Sequence, residues 1–174
     1  MVQTLLLTHT DLDGVACGVL FSGSRPGAGT VELVDNGAID ARVRAALEAS
    51  PAILVTDHGV DVETADRVDA YIAAGGHFTL LDHDRSSQHL AGRVWATIDE
   101  ERSATGLLFH HLGAPVAYAE FARLVEDHDL WRPTDPRPAA RRRGSGTAPP
   151  KRPPPGLPPP PPSSPATATV LPPA

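Results

Sequence analysis

The sequence is poor in cysteine, lysine and aromatic residues, and it has no long hydrophobic run. Cys17 is the only cysteine in 174 residues, which excludes an internal disulfide framework and a cysteine-based zinc site. No apolar run approaches the ~18 residues of a membrane span. No basic segment precedes the apolar start, as it would in a secretory signal. We therefore expect a soluble, cytoplasmic protein that does not bind membranes.

Charge and proline divide the chain into two unlike parts. Residues 1–132 carry 20 Asp and Glu against 9 Arg, a formal charge of −11, and no Lys. Residues 133–174 carry six Lys and Arg against one Asp, or +5, together with 16 of the 19 prolines. We predict one folded domain over 1–132, which is long enough to bury a core. Its acidity excludes broad electrostatic adhesion to nucleic acid, so a phosphate substrate would need metal ions as its cations.

The tail, residues 133–174, is predicted to be extended and disordered. Its proline runs donate no backbone hydrogen bonds and bury little apolar surface. Two interpretations stay open. The tail is either a linker or a ligand for a proline-binding domain, or it results from a shifted or truncated reading frame. An abrupt change to Arg, Pro, Ala and Gly is typical of a G+C-rich gene read out of frame.

The head alternates short apolar runs with amphipathic segments, which predicts an α/β fold in which a parallel sheet carries helices on both faces. The predicted strands are Val2–Thr8, Thr30–Val34, Ala52–Thr56, His77–Leu81 and Val94–Ile98. The predicted helices are Gly14–Ser22, Ile39–Ala49, Val62–Ala74, Ser103–Leu112 and Val116–Asp127.

Acidic and histidine side chains follow three of the five predicted strands and close the last helix. They are His9, Asp11 and Asp13, then Asp57, then Asp82, His83 and Asp84, and finally Asp127, His128 and Asp129. The carboxyl ends of parallel strands line one crevice, so we expect these groups to converge. Carboxylates that lie so near one another cannot all stay ionised without cations. Mixed His and Asp ligands favour a transition metal, Mn²⁺ in particular, whereas an all-oxygen set would favour Mg²⁺ or Ca²⁺.

Each element alone has a simpler interpretation. His-x-Asp-x-Asp is more often a solvated turn than a metal site, and a carboxylate after a strand, such as Asp57, is often a helix N-cap. Several other residues are assigned structural roles. Cys17 and Thr105 are predicted to face the core, Ser103 to cap a helix, Trp131 to cover the core edge, and His58, His89, His110 and His111 to be solvated or capping.

Five segments together resemble the DHH phosphoesterase superfamily, in family order and at family-like spacing. Within it they are most similar to the short-oligonucleotide nucleases and the related cyclic-nucleotide phosphodiesterases. The segments are THTDLDGVACGVL at 8–20, LVTDHGV at 54–60, LLDHDRSS at 80–87, SATGLLFHHL at 103–112 and LVEDHDLW at 124–131. The resemblance implies a Rossmann-like domain and spans nearly all of the head.

The resemblance also implies roles for individual residues. His9 and Asp11 would bind one manganese ion, Asp13, His83 and Asp129 would bind the other, and Asp57 would bridge the two. Asp82 would orient the His83 ring from behind. Where the family signature reads Asp-His-His, this chain has Asp84 in place of the second histidine, which faces the scissile phosphate in the family. The implied catalytic residues are Asp57, Asp82, His83 and Asp84.

These expectations predict a hydrolase that cleaves phosphodiester bonds of short single-stranded oligonucleotides or cyclic nucleotides with water activated by two metal ions. Family members usually continue into a second, substrate-gripping domain, and the proline tail stands in its place here. Two alternatives follow. One is a catalytically weak fragment that binds metal and nucleotide. The other is a relative of inorganic pyrophosphatases, which share the metal constellation.

Overall fold

The computed structural model describes residues 3–131, so the predicted tail and its boundary at residue 132 lie outside the described residues. The elements alternate between strand and helix along most of the chain. The strands are β1 Thr4–His9, β2 Gly29–Val34, β3 Ala52–Thr56, β4 His77–Asp82 and β5 Ala96–Ile98. The helices are α1 Leu12–Ser24, α2 Ile39–Ala49, α3 Val62–Ala73, α4 Ala104–Leu112 and α5 Ala119–Asp129.

The five strands form one fully parallel sheet in the order β2-β1-β3-β4-β5. The chain moves outward from β1 to β2 and then returns across β1 to continue with β3. The direction of strand order therefore reverses between β1 and β3. In open parallel sheets, a crevice forms outside the carboxyl ends at such a reversal.

Two separate apolar clusters lie on the two faces of the sheet, because successive side chains of a strand point to opposite faces. Leu7, Val55 and Leu80 pack with α2 and α3, through residues such as Val43 and Val68. The alternate residues of the same strands pack with α1 and α4. These residues are Leu6, Leu54 and Leu81, together with Cys17, Leu20, Phe21 and Leu108. The predicted α/β fold with helices on both faces is confirmed.

The predicted last helix is wrong in its first turn. Val116–Tyr118 is a short 3₁₀ helix, with the Tyr118 N–H donating to the Pro115 carbonyl at 2.9 Å, and α5 begins only at Ala119. α5 also ends at Asp129, two residues later than predicted. The 3₁₀ helix at Arg85–Leu90 was not predicted from the sequence. Among residues 3–131, no helix is long and apolar enough to cross a membrane.

Candidate metal centre

The predicted ligands come from four places on one edge of the sheet. His9 ends β1, Asp57 follows β3 and His83 follows β4. Asp11 and Asp13 lie at the start of α1, and Asp129 is the last residue of α5. The reversal of strand order brings the three strand ends side by side, and the helices on one face add their termini.

The potential ligand atoms form compact groups. In the first group, one ligand atom each of His9, Asp11 and Asp57 lies within 4.8 Å of the others. In the second group the same holds for Asp13, His83 and Asp129. Asp57, Asp82 and His83 form a third group that overlaps both. The side chains that follow the strand ends therefore lie close together, and Asp57 belongs to the first main group but not to the second.

Asp57 lies between the two main groups. Its Oδ1 is 3.3 Å from Nε2 of His83, and its Oδ2 is 3.8 Å from Nδ1 of His9. Its backbone has φ of 59°, a left-handed conformation that is uncommon for residues other than glycine and recurs at functional sites. Asp57 caps no helix, because the N-cap of α3 is Asp61. The capping alternative for Asp57 is thus wrong.

His83 is surrounded by carboxylates. Its Nε2 lies 3.3 Å from Asp57, 3.3 Å from Asp129 and 3.7 Å from Asp13. The hydrogen bond with Asp57, together with the charges of Asp129 and Asp13, raises the pKa of His83 to about 9. Burial, with the charges of Asp13 and Asp11, raises the pKa of Asp57 to about 8. Burial and the charge of Asp13 raise the pKa of Asp129 to about 6.

Asp13 is fully buried and is held by the first turn of α4. Its Oδ2 accepts the Ala104 N–H at 2.6 Å, and its Oδ1 accepts the Thr105 N–H at 3.0 Å. The Thr105 hydroxyl donates to the Asp13 carbonyl at 3.0 Å. The partial positive charge of a helix N-terminus stabilises an anion there. Ser103 caps α4 through the Gly106 N–H, as predicted.

Asp82 is buried behind His83 and shapes the loop after β4. Its Oδ1 accepts the backbone N–H of His83 at 2.9 Å, and its Oδ2 accepts a short hydrogen bond from the Ser87 hydroxyl. Asp82 therefore holds His83 through a hydrogen bond to the backbone N–H of His83, and not to its ring. Asp84 is exposed and belongs to none of the ligand groups found among residues 3–131.

Sequence reasoning missed His58. It was predicted to be solvated or capping, yet only 3% of it is exposed. Its Nε2 lies 2.9 Å from the Val34 carbonyl, and its ring meets the His9 ring edge-on with centroids 5.0 Å apart. His58 thereby supports His9 from behind. Trp131 was predicted to cover the core edge but is 81% exposed, because a left-handed turn follows α5.

The clustered acidic and histidine side chains could hold metal ions. The buried Oδ2 atoms of Asp57 and Asp129 accept no hydrogen bond from any residue in 3–131, although buried carboxylate oxygens normally accept one. Four carboxylates converge, and their ion-pair partners among residues 3–131 are the two histidines His9 and His83. Burial, together with the charge of neighbouring carboxylates, raises the pKa values of Asp57 and Asp129, and divalent ions would oppose that effect.

Comparison with solved structures shows the fold. The chain matches a crystal structure of an uncharacterized protein from Helicobacter pylori G27 with a TM-score of 0.68 and 23% sequence identity, over 77% of this chain and 45% of that one. No family model matches the sequence.

Among curated proteins, the chain is similar to oligoribonuclease NrnB of Bacillus subtilis (strain 168). The two are 29% identical over a 144-residue alignment. The alignment covers 72% of this chain and 36% of the relative, so the chain spans about a third of the relative's length.

Proposed function

We propose that this protein is a metal-dependent hydrolase that cleaves phosphodiester bonds in short single-stranded oligonucleotides. The observation that carries the proposal is Asp57, a buried carboxylate that belongs to the group of His9 and Asp11 and whose Oδ1 lies 3.3 Å from Nε2 of His83 in the second group. Similarity to an oligoribonuclease and the resemblance to the DHH phosphoesterases support the same reaction class. The relative's name favours an oligonucleotide over a cyclic nucleotide as the substrate.

Two divalent ions are the implied cofactors, with Mn²⁺ as the first choice because the ligands mix imidazole and carboxylate. His9 and Asp11 would hold one ion, Asp13, His83 and Asp129 the other, and Asp57 both. When bound, two such ions would supply Lewis-acid polarisation of a phosphoryl oxygen and a lowered pKa for bound water.

Hydrogen bonds within the chain fix the positions of the candidate metal ligands. Asp57 reaches both groups from a backbone conformation fixed by its N–H bond to the Leu81 carbonyl at 3.0 Å. Asp82 and Ser87 fix the loop that presents His83, and the backbone N–H groups at the start of α4 hold the Asp13 carboxyl group in a buried position. Asp84 is exposed beside this loop, so its charge would act on the incoming phosphate rather than on a metal ion.

The proposal is tested by incubating the full chain, stripped of metal and reloaded with Mn²⁺, with a dinucleotide, a cyclic dinucleotide and pyrophosphate in parallel. We expect cleavage of the dinucleotide to be fastest and to disappear in Asp57→Asn. Cleavage of pyrophosphate alone would favour the pyrophosphatase alternative. Metal binding without any turnover would favour the weak-fragment alternative, and either result would overturn the proposal.

A further inference from the structure

The arginines of the described chain fall into two classes. Residues 3–131 contain eight Arg and no Lys against 20 Asp and Glu, so positive charge is scarce. Six of the eight have a side-chain hydrogen bond or ion pair with a described residue. These six are Arg25, Arg42, Arg44, Arg67, Arg93 and Arg123.

The other two, Arg85 and Arg102, make no side-chain hydrogen bond or ion pair with any residue in 3–131. Both lie on loops at the carboxyl edge of the sheet. Arg85 is exposed and comes two residues after His83, at the start of the 3₁₀ helix. Arg102 is half-buried and directly precedes Ser103, the N-cap of the helix that holds Asp13.

Hydrogen bonds connect the loop that carries Arg85 to the loop that carries Arg102. Gln88 donates from Nε2 to Oε1 of Glu100 at 3.0 Å, which joins the loop after β4 to the loop after β5. The Asp99 N–H donates to the Asp82 carbonyl at 3.1 Å, so the β5 loop starts beside Asp82. Arg85 and Arg102 therefore stand on connected loops. Arg85 comes two residues after His83, and Arg102 comes two residues before Ala104, whose N–H donates to Asp13.

We propose that Arg85 and Arg102 form an anion subsite that binds a second phosphate of the substrate, next to the scissile one. This inference rests on the proposed function, because the scissile phosphate would be taken by the metal centre. A flanking phosphate needs a different cation, and among residues 3–131 Arg85 and Arg102 are the arginines that no described side chain neutralises. Guanidinium groups bind phosphate oxygens in a bidentate manner, which fixes orientation as well as charge.

The proposal predicts a preference for ligands with an additional phosphate. We would measure binding to the full Mn²⁺-loaded chain by isothermal titration calorimetry. The ligands are phosphorothioate-linked dinucleotides with a terminal phosphate at the 5′ end, at the 3′ end or at neither. One terminal phosphate should tighten binding by roughly tenfold to a hundredfold, the scale of a hydrogen bond to a charged group. Arg85→Gln and Arg102→Gln should each remove most of that gain.

Arg67→Gln is the matched control, since Arg67 is exposed on α3 and paired with Glu63. It should leave the preference unchanged. Equal affinity for all three ligands, or an undiminished preference in both arginine variants, would overturn the subsite. Hydrolysis of an ordinary dinucleotide is followed separately. A phosphate preference that depends on Arg85 and Arg102 in a chain without hydrolysis would keep the subsite and refute the proposed function.

Discussion

Two regions of this domain are rich in acids, and they differ in how those acids are neutralised. On the outer face of α3, Glu63 pairs with Arg67, while Asp66 and Asp69 both pair with Arg93. These carboxylates are exposed to solvent. At the carboxyl edge of the sheet, four carboxylates face one another, and their ion-pair partners among the described residues are the histidines His9 and His83.

The difference separates surface acids that arginines already neutralise from clustered acids whose charge a bound cation would offset. Exposed ion pairs contribute about 0–1 kcal/mol to stability and can be changed at little cost. Buried carboxylates that share one site without an arginine or lysine oppose folding until a cation arrives. Acidic content alone does not distinguish the two regions, but pairing and burial do.

The largest contrast is expected between matched amide substitutions in the two regions. Asp57→Asn should lower dinucleotide hydrolysis by at least ~10³-fold, because metal stabilisation of the transition state amounts to several kcal/mol. Asp66→Asn on α3 should leave activity unchanged and cost less than about 1 kcal/mol of stability.

Metal content measured by elemental analysis should follow the same order. Asp57→Ala is expected to lose more Mn²⁺ per chain than Asp11→Ala, because Asp57 would contact both ions. Retention of two ions by both variants would argue against a shared carboxylate.

The second contrast concerns folding stability. Added Mn²⁺ should stabilise the domain by about 2.7 kcal/mol at a concentration a hundredfold above its Kd, because it binds the folded state preferentially. Differential scanning calorimetry with and without chelator measures the shift in Tm. Asp66→Asn should keep the shift and Asp57→Asn should reduce it. An unchanged Tm at saturating Mn²⁺ would refute a cation site at this edge.

The third contrast is the pH dependence of the metal-free domain. Folding raises the pKa of Asp57 to about 8, of Asp129 to about 6 and of His83 to about 9. The folded state thus binds more protons than the unfolded state, so these groups stabilise it at low pH. Their contribution is lost as pH rises through the folded values, from about pH 5 to pH 9.

Urea unfolding in the presence of chelator should show this decline. Asp57→Asn removes one of the three titrating groups and should make the decline shallower, whereas Asp66→Asn should not alter it. Mn²⁺ binding near pH 7 should also release protons, which calorimetry in buffers of different ionisation enthalpy detects. The same pH dependence of stability in the unaltered chain and in Asp57→Asn would contradict the raised pKa of Asp57.

The smallest effect is expected at the edge of the site. Asp84→His exchanges an exposed anion for a hydrogen-bond donor beside the loop that carries His83. One well-placed donor typically changes a rate by ~10²–10³-fold, which is an upper bound for a position outside the ligand groups. A modest rise in dinucleotide turnover is expected from steady-state kinetics, and a fall would assign Asp84 a direct catalytic role.

Much of the fold was predictable from local pattern. β3 and α2 have the predicted bounds, because an unbroken apolar run and a 3.6-residue period identify a buried strand and an amphipathic helix. Errors fell where local pattern is weak. Val94 and Trp95 precede β5 rather than belonging to it, since Trp95 turns inward to donate to Asp69. The 3₁₀ helix at Arg85–Leu90 depends on contacts such as Ser87 with Asp82.

The convergence of the site was also predictable, because parallel strands end at one edge. The contacts that hold each side chain of the site in place could not be predicted from the sequence. His58 looked like an isolated surface histidine, and its burial against Val34 and His9 requires the return of the chain across β1. Ser103 was predicted as a cap, but nothing local indicated that the capped helix would hold Asp13, 91 residues away.

The sequence by itself determined the alternation of strands and helices and the residue types at the strand ends, because both depend on short-range periodicity and position. Only the tertiary structure decided which carboxylates are buried, which are paired with arginine and which share a histidine. Those properties come from contacts between segments far apart in the chain, where burial sets the cost of a charge and proximity sets its neighbours.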